Sequence, residues 1–330
     1  MIAQLDSLYL KLRPWKLWAR LVSYGLFEGR PLTTRGRWIN PLVFAHFAVE
    51  KFLPQLGCVE KPVFILGTGR SGTTVLGIVL SMHREVGFLN EPKALWHSAF
   101  ANEDLIGSYS LGLANYRLDT CDVTTKVKRN MHRLYGAYLA VTGSKRVVDK
   151  YPELIFRIEF VQEIFSDAKF IFLVRNGWDT CSSIQNWSRR LGVSTESETH
   201  DWWGVNKRKW NLLLDQVVSK DNAFESIIQE IRGISDHQDM AAVEWIVTMR
   251  EGLRLIRENQ ENVLMLKYED LVASPESKMT ELFYFCGLPV DSVCVEYAAK
   301  TLAPVANAKA FTMHPCIVTL FNQTMSELGY

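Results

Sequence analysis

Eight residues, Gly67-Thr68-Gly69-Arg70-Ser71-Gly72-Thr73-Thr74, gather glycines, hydroxyls and one cation between two apolar runs, residues 63–66 and 75–80. A strand, a glycine turn and a helix start in that order make a phosphate cradle, because glycines let the backbone curl and successive N–H groups then face an anion at a helix N-terminus. Gly67 and Gly72 keep the G-x-x-x-x-G spacing of a nucleotide loop, but Thr73 occupies the place of its lysine. The cation is instead Arg70, two positions before the second glycine. Such a loop is expected to hold a phosphate but not ATP with magnesium. A bare packing turn would need none of Arg70, Ser71, Thr73 and Thr74 together.

A second clamp follows the apolar run Phe170-Ile171-Phe172-Leu173-Val174, where Arg175 stands at a strand end and hydroxyls reach Ser183 in the first turns of a helix. That pattern suits another phosphate; a solvated arginine with Asp179 as a cap is the plainer alternative. Glu91, after residues 86–89, is the candidate general base. A glutamate titrates near 4.3, so it takes a hydroxyl proton well only if desolvation raises its pKa or the proton leaves late. His83 and His97 are competing bases. Lys150 ends the run Val147-Val148-Asp149 and is placed to stabilise negative oxygens, unless it is a surface lysine paired with Asp149 or Glu153. Tyr268 follows residues 263–267, either beside a nucleotide or as an aromatic plug under the sheet edge.

Taken together these segments resemble the sulfotransferases that use 3′-phosphoadenosine 5′-phosphosulfate (PAPS), most of all their bacterial and tyrosylprotein branches. The resemblance implies that Arg70, Ser71, Gly72, Thr73 and Thr74 hold the 5′ end of the donor and that Arg70 contacts the transferred group. It implies a 3′-phosphate site at Arg175 and Ser183, a general base at Glu91 before Pro92, and Lys150 beside the sulfate, with Asp149 where the family carries asparagine. Tyr268 would lie near the nucleotide. Lys309 and Leu328-Gly329-Tyr330 are similar to the family's closing segment. The implied reaction moves a sulfuryl group from PAPS to an acceptor hydroxyl on a glycan, lipid headgroup or small metabolite, leaving 3′-phosphoadenosine 5′-phosphate (PAP), with no metal required. A variant P-loop kinase is the alternative.

Positioning these groups requires an α/β fold. Apolar and β-branched runs at 63–66, 86–89, 146–149, 169–174 and 263–266 read as buried parallel strands, and helices are expected over 73–82, 154–165, 180–190 and 241–258. The expected architecture is P-loop-like and three-layered, a central, mostly parallel sheet of four to five strands flanked by helices. Ligands of such sheets lie beyond the carboxyl ends of the strands, where the loop, Lys150 and Arg175 fall. Residues 61–330 read as one domain with a polar, irregular insertion at about 191–240, and residues 1–60 as an N-terminal extension.

Composition narrows the partners. Lys plus Arg number 37 against 36 for Asp plus Glu, which argues against a nucleic-acid binder. Six cysteines form no C-x-x-C pair, so free thiols in a reducing cytoplasm are expected. No apolar run is long enough to span a bilayer or serve as a secretory signal, which points to a cytoplasmic protein. The first 40 residues carry seven basic and two acidic side chains, and residues 7–27 interleave the bases with Trp, Leu and Tyr. That stretch either packs on the globule with its charges solvated or lies on a membrane surface with its cations toward anionic headgroups.

Overall fold

The computed structural model describes residues 5–31, 35–195, 197–258, 261–304, 308 and 310–330. Three helices, α1 (Ser7–Leu12), α2 (Lys16–Val22) and α3 (Asn40–Glu50), precede the first strand. The strands are β1 (Val63–Gly67), β2 (Val86–Asn90), β3 (Arg146–Lys150), β4 (Lys169–Val174), β5 (Val193–Ser194), β6 (Thr199–Asp201), β7 (Gly204–Val205) and β8 (Val263–Lys267). Between them lie α4 (Thr73–Ser81), α5 (Lys93–Ala99), α6 (Thr125–Thr142), α7 (Ile158–Ile164), α8 (Gly177–Leu191), α9 (Arg208–Gln216), α10 (Ile228–Arg232) and α11 (His237–Glu258). Helices α12 (Tyr268–Ala273), α13 (Pro275–Cys286), α14 (Ser292–Thr301) and α15 (Pro315–Glu327) close the chain.

The central sheet has five strands in the order β2-β3-β1-β4-β8, parallel throughout. Side chains alternate between its two faces with the period of two that a strand imposes. Phe64, Leu66, Phe170 and Phe172 enter one core, and Val63, Ile65, Ile171 and Leu173 enter the other. Both faces are therefore covered by helices, which explains why β1 is buried at every position. Gly252 lets α11 lie directly on Phe172, whose ring would stand 2.1 Å from an added Cβ.

Three regions differ from the sequence expectation. Residues 154–165 are not one helix, because Pro152 starts a 3-10 turn through Arg157 and only then does α7 begin. Residues 191–240 are not irregular: β5, β6 and β7 form an antiparallel sheet, and α9 and α10 follow it. Strands of two or three polar residues leave no hydrophobic alternation to read. The third difference lies at the N-terminus, where Arg13, Lys16 and Arg20 are buried and not solvated. The Arg13 guanidinium donates to both Asp291 oxygens, at 2.7 and 2.5 Å, and to the Met82 carbonyl. Lys16 Nζ donates to the Val86 carbonyl at 2.6 Å, with its pKa lowered to about 8, first by burial and then by Arg13. Arg20 donates to Glu28 and to the Phe88 carbonyl. Lys16 and Arg20 thus tie the N-terminal helices to β2, and Arg13 ties them to the end of α4 and to Asp291.

Candidate active site

The rim beyond the strand ends collects the predicted groups. Gly67 and Gly72 take φ of 137° and 99°, values open to glycine, and they bend the chain from β1 into α4. No side chain caps α4, so its first N–H groups are left to the loop's concave side. Ser71 is buried and its hydroxyl donates to the Thr68 carbonyl at 2.6 Å, shaping the turn. Thr73 is buried at the first helical position, and Thr74 beside it is half-buried. Gly72 also gives room for the Tyr268 ring, which would stand 2.4 Å from an added Cβ.

Arg70 adopts φ 69°, a left-handed conformation that costs an arginine on the order of 1–3 kcal/mol. Its Nε donates to Ser183 Oγ at 3.1 Å, so the first loop and the second clamp touch directly. Arg175 points toward the loop as well: Nη1 donates to the Arg70 carbonyl at 3.3 Å, and the guanidinium lies over Tyr268, 4.8 Å from its ring centre. Asp179 pairs with Arg175 at 3.5 Å and also accepts from the Ala308 amide. Lys309, the next residue, lies outside the described residues. Desolvation and then the adjacent Arg175 lower the Arg70 pKa, so two cations repel each other across the rim. The buried Nε of Arg175 and Oγ1 of Thr68 have no hydrogen-bond partner. An anion between the guanidinium groups relieves the first penalty and can satisfy the orphaned donor.

On the other side of the loop, Glu91 follows β2 with φ 50°, and its amide donates to the Lys150 carbonyl at 2.7 Å. Lys150 is 2% exposed and pairs with Glu91; it is not a surface lysine, and neither Asp149 nor Glu153 is its partner. Lys93 bridges Glu91 at 3.4 Å and Glu153 at 3.5 Å, and Lys209 from α9 continues the chain to Glu153 at 3.2 Å and Glu244 at 2.5 Å. Burial alone would raise the Glu91 pKa, but Lys150 and then Lys93 outweigh it and hold the carboxyl below its ordinary value. The desolvation route to a stronger base is therefore closed. Glu244 also accepts from Trp202 Nε1 at 2.7 Å, and the Trp202 ring lies against Gly69, 2.4 Å from where a Cβ would be. Lys93, Glu153, Trp202, Lys209 and Glu244 had no motif to announce them; the alternation of charge arises only when β2, the turn after β3, α9 and α11 meet.

The two histidines lie elsewhere. His83 is fully buried beyond the C-terminal end of α4, where its ring bonds the Pro289 carbonyl, at the opposite edge of the sheet. His97 packs between Phe44 and Tyr109. Among the described residues, neither bonds Arg70, Glu91, Lys150 or Arg175.

Asp149 points down from β3 into the core, where one oxygen accepts from Tyr135 and, at 2.8 Å, from Trp96 Nε1. Its other oxygen has no partner. Desolvation lifts its pKa from 3.8 to about 7, with Tyr135 and Trp96 partly opposing. Between those two values the folded protein holds a proton that the unfolded chain has released, so this group makes stability fall as pH rises from about 4 to about 7. Asp149→Asn should flatten that decline while keeping both hydrogen bonds. Melting temperature measured against pH for the two proteins checks it; parallel curves would remove Asp149 as the source.

The family model described as "Sulfotransferase family" matches residues 62–232, a little over half the chain. The chain belongs to the sulfotransferase family, whose members are enzymes that transfer sulfate. Nodulation protein NoeE of Sinorhizobium fredii is 27% identical over 130 residues, 37% of this chain and 30% of that protein. Protein-tyrosine sulfotransferase A of Caenorhabditis elegans is 24% identical over 233 residues, 69% of this chain and 50% of that protein. The chain thus spans half or less of the length of these relatives. Among solved structures, a sulfotransferase of Mycobacterium tuberculosis superimposes with a TM-score of 0.51 at 12% identity, covering 99% of both chains. That likeness confirms the P-loop-like α/β fold.

Proposed function

We propose that the protein transfers a sulfuryl group from PAPS to an acceptor hydroxyl. The observation that carries this reading is the convergence of Arg70, Ser183 and Arg175 at the uncapped start of α4. Two cationic sites this close fit a nucleotide phosphorylated at both ends. Arg70 is exposed, so its side chain is free to leave Ser183 and take the 5′ end while Ser183 and Arg175 take the 3′-phosphate.

In the reaction the acceptor oxygen forms a bond to sulfur as the bond from sulfur to the phosphate oxygen breaks. Arg70 and the α4 amides neutralise the leaving phosphate. Lys150 turns from Glu91 to the sulfuryl oxygens, and Glu91 receives the hydroxyl proton. Because Glu91 is a weak base, the proton moves late, after the acceptor oxygen has become acidic through bonding to sulfur. The acceptor, a glycan, lipid headgroup or small metabolite, enters on the Gly69 side, where Trp202 offers an aromatic wall.

Calorimetric titration with PAP and with ATP, each with and without EDTA, tests the donor. Tight binding of PAP that EDTA leaves unchanged, with none of ATP, is the expected result. Magnesium-dependent ATP binding would overturn it in favour of a kinase.

A further inference from the structure

Burial of Arg13, Lys16 and Arg20 turns the N-terminal helices inside out. On α2 and its cap, Trp15, Trp18 and Leu21 recur every three residues and face outward, at 65%, 58% and 38% exposed, while Lys16, Ala19 and Arg20 face the protein. The pattern continues beyond them. Trp38 is 74% exposed, Leu42 64% and Phe52 86%, with Leu53 and Leu56 close behind. Scattered apolar residues on a surface need no explanation, but a continuous patch marks an interaction site.

Helix α6 is the spine that joins α2 to the segment after α3. Trp18 Nε1 donates to the Val141 carbonyl at its C-terminal end, and Gly57 lies so close to Gly136 that a Cβ would meet its carbonyl at 2.8 Å. Arg133 donates to the Lys51 carbonyl. Among the described residues from 5 to 58, the exposed charged side chains are basic. Lys11 and Arg37 are exposed, and Lys126 lies near enough to Lys51 to lower its pKa after burial has done so. Among the described residues from 5 to 58 the acids are spent elsewhere: Asp6 caps α1 and accepts from Tyr297, Glu28 pairs with Arg20, and Glu50 is buried beside His46.

We infer that this face docks on an anionic lipid surface, with Trp15, Trp18, Trp38 and Phe52 entering the headgroup boundary and Lys11, Arg37 and Lys126 meeting the lipid phosphates. Tryptophan and leucine beside lysine and arginine are the side chains such a boundary favours. A second copy of the chain fits the patch less well, because a two-fold contact sets the same surface against itself and would oppose cation to cation. The binding element is thus an outward apolar face on folded helices, not the basic stripe that the sequence displays.

Co-sedimentation of the full chain with phosphatidylcholine vesicles, with and without phosphatidylserine, tests the proposal. Binding to the phosphatidylserine vesicles, weakened by salt, is expected, and Trp15→Ser with Trp18→Ser and Phe52→Ser should reduce the bound fraction on the order of 10-fold. PAP affinity verifies that the variant is folded. Quenching of tryptophan fluorescence by brominated lipid in the unaltered protein gives a second readout that needs no variant. No sedimentation and no quenching at low salt would overturn the inference. So would a concentration-dependent dimer that the same substitutions abolish, which would assign the face to a second copy.

Discussion

Glu91→Gln is expected to lower turnover by on the order of 100-fold or more, about 2.7 kcal/mol of barrier, while PAP affinity stays near that of the unaltered protein. The amide keeps an acceptor for Lys150 but cannot take the acceptor's proton. Fold survives because Lys93 retains Glu153, and PAP binding reports this independently. The position of Glu91 between Lys150 and Lys93 adds a pH signature. A carboxyl held below its ordinary pKa stays ionised through the neutral range, so Glu91 itself produces no acid limb in kcat/KM between about pH 5 and 8. Its ion pairs stabilise the fold above about pH 4.5 and lose that contribution as pH falls through the lowered value. Full turnover in the Gln variant would place the base elsewhere.

Arg175→Ala carries the second large effect, and on a different quantity. Removing the guanidinium takes away charge-assisted bonds to the donor, its packing on Tyr268 and the partner of Asp179. PAP affinity should fall on the order of 100-fold, whereas Arg175→Lys keeps the charge without the fork and should lie between the two. Calorimetry reads both. An alanine variant that binds PAP within about threefold of the original would remove Arg175 from the site and, with it, the assignment of Ser183.

The sequence was most legible where one segment sets both local structure and chemistry. The order of strand, glycine turn and helix in residues 63–81 depends on backbone freedom at Gly67 and Gly72, which is written residue by residue. The same holds for Arg175 at the end of an apolar strand. Parallel strands bring their carboxyl ends to one edge, so Glu91, Lys150, Arg175 and Tyr268 could be placed on a common rim before their contacts were known.

Charge partners were not legible, because an ion pair is a property of two segments and neither carries its partner's address. Lys150 could have paired with Asp149 or Glu153 by sequence distance. Strand alternation instead turns Asp149 into the core against Tyr135 and Trp96, and the 3-10 turn after Pro152 carries Glu153 to Lys93 and Lys209. Helix α2 shows the same division. Its residues fixed an amphipathic helix, but which face lies inward was decided by Glu28 and the carbonyls of Val86 and Phe88, which accept from the buried Lys16 and Arg20. Residue order alone thus determined the glycine turn between strand and helix, the parallel sheet and the rim. Only the folded chain determined the network around Glu91 and the outward tryptophans, since both depend on buried polar groups finding partners far away in sequence.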